Sequence, residues 1–519
     1  MQIFSFSPFG YEGSLVTVEV DLRRGIPAID LIGLADGAVK ESRERMKSAI
    51  RNSGFEFPME RVLISLSPAD LKKEGAGFDL ALALAVLEAD MRKGDGSFDM
   101  NPEPILVMGE LELSGALRPV KGVHAAAATA ASAGIRKCIV SSANAAEARE
   151  VVGMKVFGAT NLGEAFESLS NPDFFTGGVD DSDSFVPENC VKVSGVLFPA
   201  EDSSMEFSDV KNQSRLVRAL QIAAAGGHNL LAFGSPGCGK TLALQRFPAL
   251  LPLLTVEEAQ SVTRIHSLAG LLSPSQPLLR VPPFRVPHQT ASIEGICGGG
   301  PSCRPGEISL AHNGVLFLDE AAEFRSSVLQ MLRVPLESGC ITLSRAGRST
   351  TYPAKFQLLM ATNPCPCGNY GSSSKICLCS AKSVEQYWRK FSAPLLDRID
   401  IRVSVSSSPG DVEEPSRSTS ELRVAVAEAV KIQRTRGKRN ACMTPQDILE
   451  FCEIDSDAKK VLDDAVSECD FSQRAVSGIM KLSRTIADMD SSDKILRCHV
   501  EEAVSFRSNV GALELFSGE

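Results

Sequence analysis

The chain has 519 residues, of which 44% are hydrophobic and 23% charged, a balance typical of soluble globular domains. Its formal net charge of -10 excludes a uniformly basic coat for nucleic acid, although local basic surfaces are compatible with it. The first residues lack the pattern of a signal peptide, and the longest apolar run, residues 80–87, is too short to span a bilayer. We therefore expect a cytoplasmic protein with no membrane partner and with mostly reduced cysteines. The length predicts about three domains.

Residues 1–170 are predicted to form an α/β domain. Strand-like and alanine-rich, helix-like segments alternate along it, at residues 16–20, 62–66, 80–87, 124–133 and 138–140. This part of the sequence contains no phosphate-binding pattern. Residues 171–206 are rich in Asp, Ser and Gly, and we interpret them as an acidic linker between domains.

A phosphate-binding loop is predicted at residues 234–241, which match the pattern G-x-x-x-x-G-K-[ST]. An apolar, strand-like segment precedes the loop and a helix-like segment follows it, as this motif requires. In such a loop the backbone N–H groups point at phosphate oxygens, while Lys240 reaches the β- and γ-phosphates and Thr241 holds Mg²⁺. The predicted nucleotide-binding residues are therefore Gly234, Ser235, Pro236, Gly237, Cys238, Gly239, Lys240 and Thr241.

The next strongly apolar strand, residues 315–318, ends in two acidic residues. In a parallel sheet the carboxyl end of such a strand faces the nucleotide. We therefore expect Asp319 to bind Mg²⁺ together with Thr241, and Glu320 to activate the water that attacks the γ-phosphorus. Prolines and glycines interrupt the long stretch before this strand, and they predict an inserted loop or hairpin that carries Arg285 and His288.

Two later polar residues complete the predicted site. An apolar strand over residues 356–362 ends in Asn363, whose amide is placed to bind the γ-phosphate or the attacking water. Arg398 is either a surface residue paired with Asp397 or Asp400, or an arginine finger that enters the site of a neighbouring subunit. A finger of this kind requires a ring of subunits.

Four cysteines follow Asn363 in a C-x-C and C-x-C arrangement joined by a Gly/Ser-rich connector. This spacing is compatible with one tetrahedral, structural Zn²⁺ site that pins the loop leaving the sheet, and free thiols are the alternative. The candidate ligands are Cys365, Cys367, Cys377 and Cys379.

Taken together, these motifs resemble those of AAA+ ATPases of the magnesium-chelatase-like group, and more closely those of the YifB/ComM family. The matching segments cover residues 229–241, 284–290, 305–320, 363–368 and 394–400. The resemblance implies an α/β fold with an AAA+ P-loop core, a parallel sheet flanked by helices, over residues 207–403. A helical lid over residues 404–519 is implied to follow, with Arg474 as sensor 2 and Arg484 as the alternative. Family members usually have two adjacent histidines where this chain has His288 and Gln289.

The amino-terminal part resembles the Lon-protease-like domain (ribosomal S5 domain 2-like) that this family carries. The likeness rests on residues 72–77, 108–111 and 118–123. Lon-type proteases need a serine nucleophile beside a lysine base. Gly77 and Ala126 stand where those two residues are expected, so we expect no peptidase activity.

The resemblance also implies a function: an ATP- and Mg²⁺-dependent homo-oligomeric ring, a hexamer, that drives branch migration of DNA in recombination and natural transformation. In related motors, hairpins and inserts point into the pore, which makes Arg285, His288, Arg345 and Arg348 candidate contacts to single-stranded or branched DNA. A basic run at residues 431–439 is equally well explained as a solvated helix end. The alternative function is the motor subunit of a magnesium chelatase, which inserts metal into a porphyrin. The amino-terminal domain argues against it, because chelatase motors begin near the AAA+ core.

Overall fold

The computed structural model describes residues 2–34, 36–69, 71, 73, 75–93, 103–177, 189–300, 302–345, 348–370, 375–405, 416–469 and 471–508. The predicted α/β architecture is confirmed, with two large sheets, each flanked by helices, and a helical region after the second sheet. Within these residues, none of the helices is both long enough and apolar enough to cross a membrane.

The amino-terminal domain is built on a mixed sheet against which a buried helix packs. Its strands are β1 (Ile3–Ser7), β2 (Ser14–Arg23), β3 (Ile29–Ile32), β4 (Arg61–Ser67), β5 (Ile105–Met108), β6 (Glu110–Leu111), β7 (Leu117–Arg118), β8 (Lys137–Ser141) and β9 (Lys155–Ala159). Its helices are α1 (Gly37–Asn52), α2 (Asp79–Lys93), α3 (Val123–Ser132), α4 (Ala145–Arg149) and α5 (Leu162–Glu167). The sheet order is β3-β4-β2-β1-β5-β8-β9, with β6 and β7 as a separate ribbon. Helix α2 is apolar on nearly every face of its first three turns and is buried accordingly.

A hairpin lies where the sequence predicts a linker. Strands β10 (Cys190–Val193) and β11 (Val196–Pro199) pair antiparallel, and Phe198 is buried beneath the guanidinium of Arg423. The turn between them has positive φ at both Ser194 and Gly195, as tight hairpins require. This part of the predicted linker therefore belongs to the central core, and residues 178–188 lie outside the described residues.

The central domain contains a parallel sheet in which the strands that carry the predicted site are buried. Its strands are β12 (Leu230–Gly234), β13 (Phe284–Arg285), β14 (Gly298–Gly299), β15 (Arg304–Pro305), β16 (Val315–Leu318), β17 (Cys340–Arg345), β18 (Arg348–Pro353), β19 (Gln357–Thr362) and β20 (Ile401–Val405). Its helices are α6 (Ser214–Gly226), α7 (Lys240–Gln245), α8 (Val256–Ala269), α9 (Ile293–Cys297), α10 (Glu307–Leu310), α11 (Ser326–Met331), α12 (Arg333–Ser338), α13 (Ala381–Trp388) and α14 (Ala393–Leu396). The parallel order is β13-β16-β19-β12-β20, which places the strand before Asn363 between the other two site strands.

The insert before β16 contains a short hairpin, as predicted, in which β14 pairs antiparallel with β15. The part of the insert that carries Arg285 does not belong to this hairpin. Phe284 and Arg285 form the edge strand β13 of the main sheet, in parallel register with Val315 and Leu316. The carbonyl of Pro283 accepts the Val315 N–H at 2.7 Å. A two-residue strand flanked by prolines shows no alternating pattern, which is why the sequence conceals it. Residues 341–350 have the sequence pattern of a β-hairpin, and the structure confirms it as β17 paired with β18.

The carboxy-terminal region is helical, as the family resemblance implies. Its helices are α15 (Thr419–Arg436), α16 (Pro445–Phe451), α17 (Ser456–Cys469), α18 (Gln473–Met489) and α19 (Arg497–Ser508). Helix α15 begins with a capping box between Ser418 and Glu421, and it packs on α6. Apolar side chains of this region share one core with the central sheet, which fixes the helices against the predicted nucleotide site.

The amino-terminal domain also packs on the central domain. Helix α3 contacts α8, where His124 Nε2 and Gln260 Oε1 lie 2.8 Å apart. The Tyr11 N–H donates to Thr350 Oγ1 at 3.2 Å, and the Arg264 guanidinium lies 4.6 Å from the Tyr11 ring centre. The amino-terminal domain is thus joined directly to the hairpin β17–β18.

We predict that Asp488→Ala destabilises the helical region by about 3–5 kcal/mol, because it leaves buried cations without a counter-ion. Asp488 is fully buried and accepts hydrogen bonds from Arg484 Nε at 3.0 Å and from both Nη atoms of Arg436 at 2.7 and 2.9 Å. Hydrogen exchange of the α15 and α18 amides measures the effect, with the exposed Asp464→Ala as control. Equal protection in both variants would contradict the prediction.

Candidate nucleotide-binding site

The predicted phosphate loop joins β12 to α7 and has the shape of an open cradle. Gly237 and Gly239 have φ values of 82° and 83°, which favour glycine, and a Cβ at either position would meet no atom within 4 Å. By contrast, a Cβ at Gly234 would lie 2.0 Å from the carbonyl oxygen of Val405 on β20. Glycine at residue 234 therefore serves packing, whereas Gly237 and Gly239 leave space for an anion.

Lys240 is 7% exposed, and its ammonium group lies inside this loop. Its Nζ donates to the carbonyl oxygens of Gly234 at 2.6 Å and Ser235 at 2.9 Å. These bonds hold the positive charge at the centre of the cradle, where a phosphate group would bind.

Oxygen ligands suited to Mg²⁺ converge beside the loop. The Thr241 hydroxyl donates to Asp319 Oδ1 at 3.1 Å, and the same carboxylate oxygen accepts the Glu320 N–H at 3.0 Å. A hydroxyl and a carboxylate are hard donors of the kind that Mg²⁺ prefers. The donor set therefore fits the predicted ion, with the cradle next to it for the phosphates.

Glu320 projects from the end of β16 in a left-handed backbone conformation, with φ 49° and ψ 49°. Its carboxylate is exposed and accepts a hydrogen bond from the Gln289 amide, which follows the edge strand β13. No role for Gln289 was predictable from the sequence, because the contact joins two residues that follow separate strands, β13 and β16.

Asn363 reaches the same site from β19. Its Oδ1 lies 3.5 Å from Lys240 Nζ, because β19 is the direct neighbour of β12. The structure thus brings Lys240, Thr241, Asp319 and Asn363 together, with Glu320 beside Asp319, as the sequence predicts.

A cavity of about 280 Å³ adjoins the phosphate loop and was not predicted. Gln213 links the two, since its Nε2 donates to the Cys238 carbonyl at 3.0 Å. Besides Gln213, the cavity is lined by Phe207, Val210, Asn212, Ser214, Arg215, Val217, Arg218, Gln221, Ser416, Arg417 and Leu422. The sequence gives one hint of this cavity, which is that residues 207–213 lie just before α6. The cavity itself was not predictable, because residues about two hundred positions later complete it.

Arg398 lies at the opposite end of the sheet from the phosphate loop. Its carbonyl accepts a hydrogen bond from Asn229, which directly precedes β12, whereas the loop directly follows β12. The five residues of β12 separate the two ends by about 16 Å at the usual rise per residue. Arg398 therefore cannot reach the phosphates bound by its own loop.

Arg398 and Arg474 share one carboxylate at this distal end. Arg398 Nη2 donates to Glu337 Oε2 at 2.5 Å, and Arg474 Nη1 lies 3.8 Å from Glu337 Oε1. The hydrogen bond from Arg398 lowers the pKa of the Glu337 carboxyl below its usual value. Arg398 pairs with neither Asp397 nor Asp400 in the described part of the chain, in contrast to the surface-pair alternative.

The candidate DNA contacts are spread over two elements. Arg285 on β13 forms a two-fold ion pair with Glu307, at 2.7 and 2.8 Å, while His288 is exposed with its Nδ1 2.8 Å from Thr290 Oγ1. Arg345 and Arg348 face each other in the register of β17 and β18 beside the hairpin tip.

Most of the later basic run, residues 431–439, is used within the fold. Arg436 binds Asp488, Lys438 binds Asp447 at 2.8 Å, and Arg439 binds Glu258 at 2.9 Å. These internal ion pairs explain the basic run without a nucleic-acid ligand.

The four cysteines form one compact cluster. The Sγ atoms of Cys365, Cys367 and Cys377 lie 3.4 to 3.8 Å apart, and all four, including Cys379, lie within 4.8 Å of one another. Tetrahedral coordination at a Zn–S distance of ~2.3 Å sets S···S separations of about 3.8 Å. The cluster therefore has the dimensions of a zinc site.

The chain is similar to known proteins along nearly its whole length. Three family models match: "Magnesium chelatase, subunit ChlI" at residues 206–412, "Subunit ChlI of Mg-chelatase" at 18–144, and "Magnesium chelatase, subunit ChlI C-terminal" at 416–507. Protein YifB of Escherichia coli is 39% identical over 505 residues, which cover 96% of this chain and 95% of YifB. Competence protein ComM of Haemophilus influenzae is 37% identical over 522 residues, 99% of both chains. The chain belongs to the YifB/ComM family of magnesium-chelatase-like AAA+ proteins.

The similarity to magnesium-chelatase motor subunits covers a smaller part of the chain. The magnesium-chelatase 38 kDa subunit of Cereibacter sphaeroides is 26% identical over 174 residues, which are 30% of this chain and 52% of that subunit. The YifB/ComM family, by contrast, matches from end to end, including the amino-terminal domain.

The residues whose roles were inferred from the YifB/ComM family lie in different environments. Arg484, the alternative for sensor 2, is 1% exposed and is bound to Asp488 and to the carbonyl of Asp493, so it is a structural residue. Arg474 is half-exposed beside Arg398 and Glu337. Gln289, where this family usually has a second histidine, holds Glu320.

Proposed function

We propose that this protein is an ATP-hydrolysing ring motor that acts on DNA. One observation supports the proposal: the predicted phosphate-binding residues lie at one end of the central sheet, and the predicted arginines lie at the opposite end. We infer that Lys240, Asp319 and Asn363 form the first half of a catalytic site, and that Arg398 with Arg474 forms the second.

The first half supplies phosphate binding and water activation. Lys240 neutralises charge on the β- and γ-phosphates, and Thr241 with Asp319 would hold a Mg²⁺ ion that offsets further phosphate charge. Glu320 orients and deprotonates the attacking water once it leaves Gln289, while Asn363 fixes the γ-phosphate or that water. The neighbouring cavity around Val210 and Gln213 accommodates the nucleoside.

The second half acts on the next subunit. Arg398 lies beyond the end of β12 opposite the phosphate loop, with Arg474 beside the same Glu337, and β12 is itself about 16 Å long, so a neighbour must bring its nucleotide to them. Contacts of this head-to-tail kind generate closed rings when the rotation closes. We infer a homo-oligomeric ring, a hexamer, in which Glu337 releases both arginines when the neighbour's phosphates arrive.

Two observations favour DNA as the substrate over a porphyrin. ComM, which matches 99% of this chain, is named a competence protein, and the chelatase subunit matches only 30% of it. The exposed His288 and the hairpin that carries Arg345 and Arg348 are basic elements suited to tracking phosphates without reading sequence. We propose branch migration in recombination or transformation as the process that this motor serves.

We predict that DNA stimulates ATP hydrolysis several-fold and that porphyrin with Mg²⁺ does not. Phosphate release by the full-length chain is measured with single-stranded, duplex and four-way-junction DNA at low and high salt. Stimulation should fall as salt rises, because phosphate contacts release counterions. Equal rates with and without every DNA would contradict the motor, and stimulation by porphyrin alone would favour the chelatase alternative.

We also infer that the four-cysteine cluster holds a structural Zn²⁺ ion. The reason is the agreement between its S···S distances and tetrahedral Zn–S geometry, together with an all-thiolate donor set that suits zinc. We predict about one zinc per chain in the purified protein, measured by inductively coupled plasma mass spectrometry. Cys379→Ser should lose the metal, whereas Cys442→Ser, an exposed cysteine outside the cluster, should keep it.

A further inference from the structure

We propose that the metal held by the four cysteines braces the phosphate loop, so that nucleotide affinity depends on the bound metal. This rests on the zinc site and the nucleotide site proposed above. The proposal adds a coupling between the two sites, since each site could exist without the other.

The first contact of the brace joins the cysteine loop directly to the phosphate loop. Gly368, which follows Cys367, is buried and has φ +78°, and a Cβ placed there would lie 2.6 Å from both Cδ and Cγ of Pro236. Its N–H donates to the Cys365 carbonyl at 2.9 Å, within the turn that carries the first two cysteines. The backbone between metal ligands is thus pressed against the ring of Pro236, two residues into the phosphate loop.

A second contact runs through the strand end that carries Asn363. Cys365 follows Asn363 by two residues, and the carbonyl of Pro364 between them accepts the Trp388 Nε1–H at 3.0 Å. The Trp388 ring packs edge-on against Phe233, with 5.8 Å between ring centres, and Phe233 directly precedes Gly234. The cysteine turn therefore touches the phosphate loop at one side and supports Asn363 and β12 at the other.

The metal is what makes this turn stiff. Within it, the Tyr370 N–H donates to Cys365 Sγ at 3.4 Å, other backbone N–H groups face the thiols of Cys367 and Cys377, and the Sγ atoms of Cys365, Cys367 and Cys377 lie 3.4 to 3.8 Å apart. Such sulfur contacts are weak, whereas coordination of four thiolates to one ion contributes many times more and fixes all four positions together. Without the ion, the segment regains backbone freedom, and Gly368 no longer presses on Pro236.

Variants of the ligands test the coupling in the full-length chain. We expect Cys367→Ser and Cys379→Ser to lose the metal and to raise the Kd for a fluorescent ADP analogue about tenfold, a magnitude typical of coupled sites. Cys442→Ser should change neither quantity. Variants that lack metal but bind the analogue within twofold of wild type would overturn the brace.

A backbone variant tests the contact without touching a ligand, and it serves if the cysteine variants misfold. Gly368→Ala should keep the metal and still raise the Kd about tenfold, because its Cβ displaces Pro236. Gly437→Ala is the matched control, since Gly437 has a similar φ of +74° but no atom within 4 Å of its Cβ. Equal Kd values for the two glycine variants would overturn the proposal. The assay contains no DNA, so failure of the DNA-motor proposal leaves its result unaffected, whereas wild-type protein without metal would overturn the zinc site itself.

Discussion

Lys240→Ala should lower ATP turnover at least about 10³-fold, which corresponds to roughly 4 kcal/mol of lost transition-state stabilisation. Lys240 is 7% exposed, and its ammonium is already fixed by two carbonyls inside the cradle, so its charge acts on the phosphates without reorganisation. Lys240→Ala also removes the two bonds to the loop carbonyls, whereas the positive φ angles of Gly237 and Gly239 that shape the loop do not depend on this side chain. Phosphate release under saturating ATP measures the effect.

Two further variants distinguish the loss of the Lys240 charge from the loss of its buried side chain and from the loss of a lysine elsewhere in the chain. Lys240→Met retains most of the buried stem without the charge and should be as inactive as Lys240→Ala. Lys459→Ala removes an exposed lysine on α17 and should hydrolyse ATP like the wild type. Normal turnover by Lys240→Met would show that the loop does not carry the reaction.

The first half of the site was predictable because its signals are local. The phosphate loop is one contiguous pattern, and the pair Asp319 and Glu320 and the single residue Asn363 each come at the end of a strongly apolar strand. Since the strands are parallel, their carboxyl ends meet at one edge, and the sequence needs no further information to bring these residues together.

Features formed by segments that are far apart in the sequence were not predicted. The edge strand β13 is two residues long, and only its pairing with β16 places Gln289 against Glu320. The hairpin β10–β11 is itself mostly apolar, but acidic and small residues flank it on both sides, and its packing under Arg423 is set by α15. The cavity beside the loop likewise combines residues near Val210 with Leu422.

Arg398→Ala should reduce turnover by about 10³- to 10⁵-fold while leaving nucleotide affinity unchanged, as expected for a residue that stabilises only the transition state. In the isolated chain the Arg398 side chain is 8% exposed, and its Nε is buried with no hydrogen-bond partner among the described residues. Its Nη2 binds Glu337, a carboxylate that a neighbour's phosphate can replace. Arg389→Ala removes an arginine whose side chain is 74% exposed, and it should be nearly silent.

Mixing two inactive variants decides whether the halves belong to different subunits. A chain with Arg398→Ala keeps an intact Lys240, and a chain with Lys240→Ala keeps an intact Arg398. In rings assembled at random from equal amounts, about a quarter of the interfaces combine both intact residues, so about a quarter of wild-type activity should return if interfaces act independently. If both residues served one nucleotide within the same chain, every site would lack one of them and no mixture would recover. A mixture with the double variant in place of Arg398→Ala should stay inactive, because it supplies no intact Lys240.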